Sequence, residues 1–272
     1  MMRRMTRRLA LLLLAALPVA ARAQSAPAVV DLTFAGYKSG FHVLTAHSEL
    51  LIAPSGYRIS LNGNTSGMIG FFYHADWQSW ADGTWNATGV HPLHFDNDGV
   101  FGGHPVRIDL QYQDGNPVVR TLQPRDDGEH LPVPPGATRN SIDSLSVTAL
   151  VIRQVAMLGR CGGNVSVYDG RSVEAVSLHP VGAELLPRTS RSSWAGPTLR
   201  CDLDTRMTAG FFRDGTPQER AFVDSIWLGS VLPGLPPLPV RTLAHTHHLG
   251  IVTLYLTDAR LRDAATVTAK TP

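Results

Sequence analysis

The chain has 272 residues, 43% of them hydrophobic and 17% charged, with 25 glycines and 19 prolines. That length is ample to bury a core, the apolar content excludes a disordered chain, and many turn-formers without a sustained helical period argue against an all-α protein. The formal charge of +2, from 24 basic and 22 acidic residues, is unevenly distributed along the chain.

Residues 1–23 hold the imbalance. Arg3, Arg4, Arg7 and Arg8 precede a Leu/Ala run from Leu9 to Leu17, and Ala21-Arg22-Ala23 supplies the small residues of a cleavage point. This is the pattern of a secretory signal peptide cut after Ala23. Its apolar run is shorter than the roughly 20 residues of a spanning helix, so no transmembrane span is expected in the mature chain. The two Arg pairs leave twin-arginine export open beside the general route. Cleavage takes 5 of the 24 basic residues and none of the 22 acidic ones, leaving 19 against 22 and a net of −3. A mildly acidic protein lacks the electrostatic footprint of a nucleic-acid binder. The expectation is a periplasmic protein whose residues 24–272 form a single β-rich domain.

Along that domain, alternation of apolar and polar residues dominates. Weak strand patterns cover 29–37 and 41–52, and Pro54-Ser55-Gly56 turns the chain into the alternating Tyr57, Ile59 and Leu61. Six aromatics then concentrate in a short window: Phe71, Phe72, Tyr73, Trp77, Trp80 and Trp85. Aromatics at such density either fill a core or line a site for an apolar or sugar ligand. Gly67 and Gly70 beside them permit a tight loop, where ligand gates are often found. This window is the candidate binding region.

Strands are expected at 75–87 and 91–95. The polar cluster His91, His94, Asp96 and Asp98 follows. Asp96-Asn97-Asp98-Gly99 has the look of a calcium loop, but Ile108 stands near the place of the bidentate Glu, so a polar turn between Phe95 and Val100 is the better reading. Val106, Ile108, Leu110 and Tyr112 alternate next, and Asp114-Gly115-Asn116 closes them onto 118–122 as a hairpin. Pro132, Pro134 and Pro135 lead as an extended linker into the main helix.

From Ser144 to Met157 there is no Gly or Pro, and Leu145, Ala149, Ile152 and Ala156 recur at helical spacing. Asp143 is a good N-cap and Gly159 a stop. Val147, Leu150, Val151 and Val155 widen the apolar stripe to most of the circumference, so the helix must be covered on more than one side; packing across the concave face of a curved sheet satisfies that.

Beyond the helix, Cys161 and Cys201 are the two cysteines. In an oxidising compartment an even pair is most simply a disulfide, with a catalytic thiol as the competing reading. Asp169-Gly170 turns the strand 165–168 onto 173–178, and Arg171 beside it either serves an anion or pairs with a neighbouring acid. Leu199, Cys201 and Leu203 alternate, placing Cys201 on an apolar face. Strands follow near 226–230, 238–244 and 249–258, the first two joined by the Pro-rich loop 232–239. Between the last two stands His245-Thr246-His247-His248, either a metal site or a polar strand end; with no adjacent Cys or carboxylate, the latter is preferred.

The chain also resembles the DUF3108 family, exported proteins of Gram-negative bacteria with no settled biochemical function. The resemblance rests on ordered stretches: Thr65 to Tyr73, Ser79-Trp80-Ala81-Asp82-Gly83, and Val133-Pro134-Pro135 ahead of Asp143-Ser144-Leu145-Ser146. Cys161-Gly162-Gly163, Val167-Tyr168-Asp169-Gly170-Arg171, Gly196-Pro197, Pro239-Val240-Arg241 and Leu249-Gly250 continue the order. Ser144 stands where the family usually has Pro, and the segment Arg213–Val223 is longer than usual. The resemblance implies a curved, largely antiparallel sheet or partly open β-barrel with one main helix, similar to the half-barrels of periplasmic lipoprotein carriers.

No G-x-S-x-G, H-E-x-x-H, P-loop or dinucleotide fingerprint is present. No catalytic residue, metal or cofactor is therefore assigned. The combined reading is a non-enzymatic protein that binds a hydrophobic or amphipathic, lipid-like molecule in envelope maintenance. The alternatives are an envelope module that binds other proteins, and an envelope hydrolase using the His or Asp clusters.

Overall fold

The period-two patterns become fourteen strands in a computed structural model that describes residues 27–262 apart from residue 88. The expected signal peptide, 1–23, lies outside the described residues. In chain order the elements are β1 (Ala28–Lys38), β2 (Phe41–Ile52), β3 (Gly56–Thr65), a short helix α1 (Gly67–Phe72), β4 (Ala75–Trp85), β5 (Val90–Phe101), β6 (His104–Gln113) and β7 (Asn116–Gln123). After a long connection come β8 (Ser141–Ile142), the main helix α2 (Ser144–Leu158), β9 (Gly163–Tyr168), β10 (Val173–Leu186), β11 (Gly196–Ala209), β12 (Ala221–Gly229), β13 (Leu238–Thr246) and β14 (Gly250–Arg262).

All fourteen belong to one sheet, ordered β7-β6-β5-β4-β3-β2-β1-β14-β13-β12-β11-β10-β9-β8. Every pairing is antiparallel except β8 with β9. Pairing of β1 with β14, from Val29 opposite Arg262 to Tyr37 opposite Thr253, joins the first and last strands in the middle of the sheet. The sheet curls until its outer strands approach: the Asn140 backbone N–H, just before β8, donates to Asn116 Oδ1 at the start of β7 (3.0 Å). The result is a nearly closed, barrel-like sheet with one main helix.

Local chemistry accounts for the turns. Asp114 and Gly115 both take positive φ (49° and 74°), the mirror-image turn whose twist matches two antiparallel strands. At the expected helix, Asp143 Oδ1 accepts from the Ser146 backbone N–H (2.8 Å), and Gly159 closes the helix at φ 68°.

Helix α2 crosses one end of the barrel. Its first turn meets Tyr57 at the start of β3 and Tyr112 at the end of β6, and Arg153 further along lies over the Trp85 ring at the end of β4. Strands wrap it on several sides, and Leu145, Val147, Ala149, Val151, Ile152 and Val155 are all buried. That is why its apolar residues run around most of its circumference. Where α2 ends, Cys161 is bonded to Cys201 of β11, with Cα atoms 6.2 Å apart and a sequence separation of 40. Both cysteines are therefore consumed structurally. A closed loop of that size stabilises the fold by about 4 kcal/mol on the chain-entropy account.

Three local expectations need correcting. Asp96-Asn97-Asp98-Gly99 is neither a calcium loop nor a turn, because β5 runs unbroken through it to Phe101. Asn97 accepts from the Ser79 hydroxyl on the inner face (2.7 Å), while Asp98 faces Arg107 at 3.8 Å on the outer one. Cross-strand partners on both sides override the turn chemistry of the sequence. The strand expected at 226–230 begins earlier, at Ala221, preceded by a 3-10 turn at Pro217–Arg220. The Gly67–Gly70 loop is a helical turn, α1, rather than irregular backbone.

Candidate functional site

Inside the barrel, above α2, is a cavity of about 500 Å³. Its walls come from the inward positions of β1–β3 and β12–β14: Phe34, Leu44, Ala46, Leu50, Ile59, Ile226, Val252 and Leu254. Ser144, Leu145 and Thr148 of α2 form the floor. Small residues keep the space open. Ala46 presents only a methyl group, and Gly63 on β3 sits where any Cβ would lie 2.3 Å from Cζ2 of Trp77, so the indole lies flat against the β3 backbone. The volume falls in the ordinary range of small-molecule sites, and the lining is overwhelmingly apolar.

At the end opposite α2, Tyr73, Phe101, His247, His248 and Leu249 surround the mouth. They belong to the turns that join β3 to β4, β5 to β6, and β13 to β14. A string of rings spans this end. His130 packs on Phe212 (4.3 Å between centroids), Phe212 stacks parallel to His247 (3.7 Å), His247 meets His248 edge-on (4.9 Å), and His248 lies against Tyr73 (4.8 Å). Carboxylates hold the imidazoles from outside, Asp214 at 3.8 Å from His247 and Glu129 at 3.5 Å from His248. Burial, and after it the Glu129 carboxylate, pushes the Tyr73 hydroxyl up to about 12. It is therefore neutral at physiological pH.

A second chamber of about 450 Å³, lined by Glu174, Met207, Phe222 and His245, shares Thr246 and His247 with the first. Asp224 accepts from the His245 backbone N–H (2.8 Å) and pairs with its Nδ1 (2.9 Å). Burial pushes the Asp224 carboxyl up, against the pull of those hydrogen bonds. Glu174 is pushed up to about 8 by burial first and then by the carboxylates of Asp169 and Asp224. The apolar cavity and this more polar one thus share part of a wall.

The candidate residues of the aromatic window separate. Tyr73 and Trp77 reach the cavity wall. Phe71 and Phe72 point outward from α1, their rings edge-on at 5.3 Å. Trp80 is on the outer face of β4, between the Arg58 guanidinium (4.5 Å) and the His94 ring (4.6 Å). Trp85 is at the α2 end, packed on Tyr57 (4.9 Å) and donating from Nε1 to the Ala53 carbonyl (2.7 Å).

The other clusters resolve into pairs. His245, His247 and His248 go to three different acids, and among the described residues no group of three or more ligands is arranged to hold a metal. Asp169 accepts from the backbone N–H groups of Arg171 and Ser172 (both 2.7 Å), which builds the hairpin turn. Arg171 lies 3.5 Å from Asp127. Burial raises the Asp127 carboxyl, but the His130 and Glu129 donors outweigh it and hold it at about 2, so it remains an anion beside Arg171.

Sequence reasoning missed most of the cavity wall. Alternation marks which residues face inward, but the void depends on Gly63, Ala46 and the tilt of strands far apart in sequence.

No family model matches the chain, and no curated protein matches it. Among solved structures it is similar to the crystal structure of a β-barrel-like protein of domain of unknown function DUF1849 from Brucella abortus. The two are 13% identical, with 88% of this chain and 98% of that chain covered and a TM-score of 0.48.

Proposed function

We propose that the protein is a non-enzymatic carrier of the bacterial periplasm that holds an apolar or amphipathic, lipid-like molecule inside its barrel. The observation that carries this is the cavity of about 500 Å³ above α2, lined by Phe34, Leu44, Ala46, Leu50 and Leu254. An apolar cavity of this size, opening near ordered imidazole and carboxyl groups, matches a molecule with an oily body and a polar end. The export signal read in residues 1–23 and the Cys161–Cys201 bond support an oxidising compartment. The same proposal keeps the chain with the DUF3108 family, on its ordered motifs.

The test is titration of the purified protein with saturated fatty acids of increasing length, read by displacement of an apolar fluorescent probe. Each buried methylene contributes about 0.8 kcal/mol, so each two carbons added strengthen binding about fifteenfold until the chain fills the space. Ala46→Trp, which fills the cavity from its wall, abolishes binding. A protein that takes up no probe, or an A46W variant that binds as the wild type does, defeats the proposal.

A further inference from the structure

The mouth of the cavity is ringed by side chains that a protein surrounded only by water has no reason to expose. Phe41, at the β1–β2 turn, is 69% exposed, and Phe71 and Phe72 of α1 are 85% and 76% exposed. The two segments are coupled. The Ser66 backbone N–H at the head of α1 donates to the Val43 carbonyl (2.8 Å), and Ser66 Oγ lies 3.2 Å from His42 Nδ1. The residue after Phe72 is Tyr73, which turns back into the cavity wall. One short helix therefore joins the outward phenylalanines to the interior.

Two cations stand beside these rings. Lys38 closes β1, and its ammonium lies beside Gly250 in the β13–β14 turn. Arg191 lies over the Tyr37 ring (4.8 Å) and next to Gly40. Among the described residues neither cation has a carboxylate within ion-pair distance, and the acids Glu129 and Asp214 lie beside His248 and His247 instead, at 3.5 and 3.8 Å. Exposed aromatics flanked by unpaired cations are complementary to an anionic bilayer surface, with rings at the acyl boundary and cations at phosphates.

We infer that this rim docks on an anionic lipid bilayer, with Phe41, Phe71 and Phe72 in the interfacial layer and Lys38 and Arg191 at the headgroups. The mouth bordered by Tyr73, Phe101 and Leu249 then faces the acyl chains, and an apolar molecule passes into the cavity without crossing water. The inference rests on the carrier reading and adds where its cargo is loaded.

Co-sedimentation of the purified protein with vesicles of phosphatidylethanolamine and phosphatidylglycerol tests it, with phosphatidylcholine vesicles as the neutral control. Binding is expected to the anionic vesicles. Lys38→Gln with Arg191→Gln weakens it about thirtyfold, since each cation near such a surface contributes about a factor of five. Phe41→Ser with Phe71→Ser and Phe72→Ser abolishes it. All five positions lie at the rim, and circular dichroism checks that each variant folds. Fatty-acid binding without vesicles, measured on the same variants, stays at the wild-type level and so separates docking from the cavity itself. Equal binding to both kinds of vesicle, or a triple Phe variant that still sediments, overturns the inference. So does a wild-type protein that ignores vesicles but dimerises through these phenylalanines. A protein that docks but binds no fatty acid overturns the carrier reading instead.

Discussion

The hydroxyls of Tyr57 and Ser146 lie 2.6 Å apart in the interior, joining the start of β3 to the first turn of α2 across 89 residues of sequence. Ser146 Oγ donates onward to Asp143 Oδ2 (2.6 Å), so the Tyr57 hydroxyl donates to Ser146. Tyr112 donates to the same carboxyl (3.2 Å). Asp143 and Ser146 are both fully buried. Burial raises the Asp143 carboxyl, against those hydrogen bonds, and it also raises the Tyr57 and Tyr112 hydroxyls, which remain neutral donors. One side chain thus caps the helix and moors it to two strands.

Asp143→Ala therefore removes a cap worth about 1 kcal/mol and leaves buried hydroxyls without acceptors, at about 1–3 kcal/mol more. The expected loss is about 3 kcal/mol, a fall in Tm on the order of 10 °C for a domain of this size. Asp143→Asn keeps an oxygen facing the Ser146 N–H and removes the burden of a buried charge, so it costs far less. Thermal unfolding of the two variants decides: an Asp143→Ala variant that melts as the wild type does would mean that this position does not moor the helix.

Much of this network was legible beforehand. Asp143 and Gly159 mark the helix ends by chemistry that acts within a few residues, and Asp114-Gly115 demands its turn wherever it occurs. Alternation at Val106, Ile108 and Leu110 likewise tells which side chains face inward. What alternation does not tell is whether the inner face is filled or hollow. Ile108 and Leu110 meet a packed core, whereas Leu44 and Leu254 face open space, although their sequence patterns are alike. The aromatic window failed as a single site for the same reason. Neighbouring residues on a strand point to opposite faces, so Trp77 lines the cavity while Trp80 stacks on Arg58 outside. The Asp96–Gly99 stretch misled because its turn chemistry yields to strand pairing with β4 and β6.

Gly63 offers a sharp test of the cavity's shape. A Cβ there would lie 2.3 Å from Cζ2 and 2.5 Å from Cη2 of Trp77, so Gly63→Ala forces the indole off the β3 backbone. The ring also packs on Phe101 (5.8 Å), which limits its escape to the open side, the cavity. Overpacking of this kind costs about 1–3 kcal/mol. The expected result is a lower Tm together with weaker fatty-acid binding, most marked for the longest chains. Gly162→Ala, whose added methyl meets nothing within 4 Å, serves as the control and changes neither. If G63A binds and melts as the wild type does, the indole is not held where the geometry puts it.

Glu174 gives the fold a pH dependence of definite sign. Burial, followed by repulsion from the Asp169 and Asp224 carboxylates, lifts its carboxyl to about 8 from an ordinary value of 4.5. Between those values the folded chain keeps a proton that the unfolded chain releases. Protons bound by the native state in excess make stability fall as pH rises, by at most about 1.4 kcal/mol per pH unit from this group. The contribution is whole below about pH 4.5, declines through neutrality and levels off above about pH 8. Glu174→Gln removes the titration while keeping the shape of the neutral acid. The variant and the wild type should therefore unfold alike near about pH 4, with the variant more stable by up to a few kcal/mol near about pH 9. Urea unfolding of both proteins across this range measures the difference. A gap that does not change with pH would show that Glu174 titrates in the folded protein as it does in the unfolded chain. The polar chamber would then be well solvated around Glu174, because only exclusion of water and the nearby carboxylates hold that proton in place.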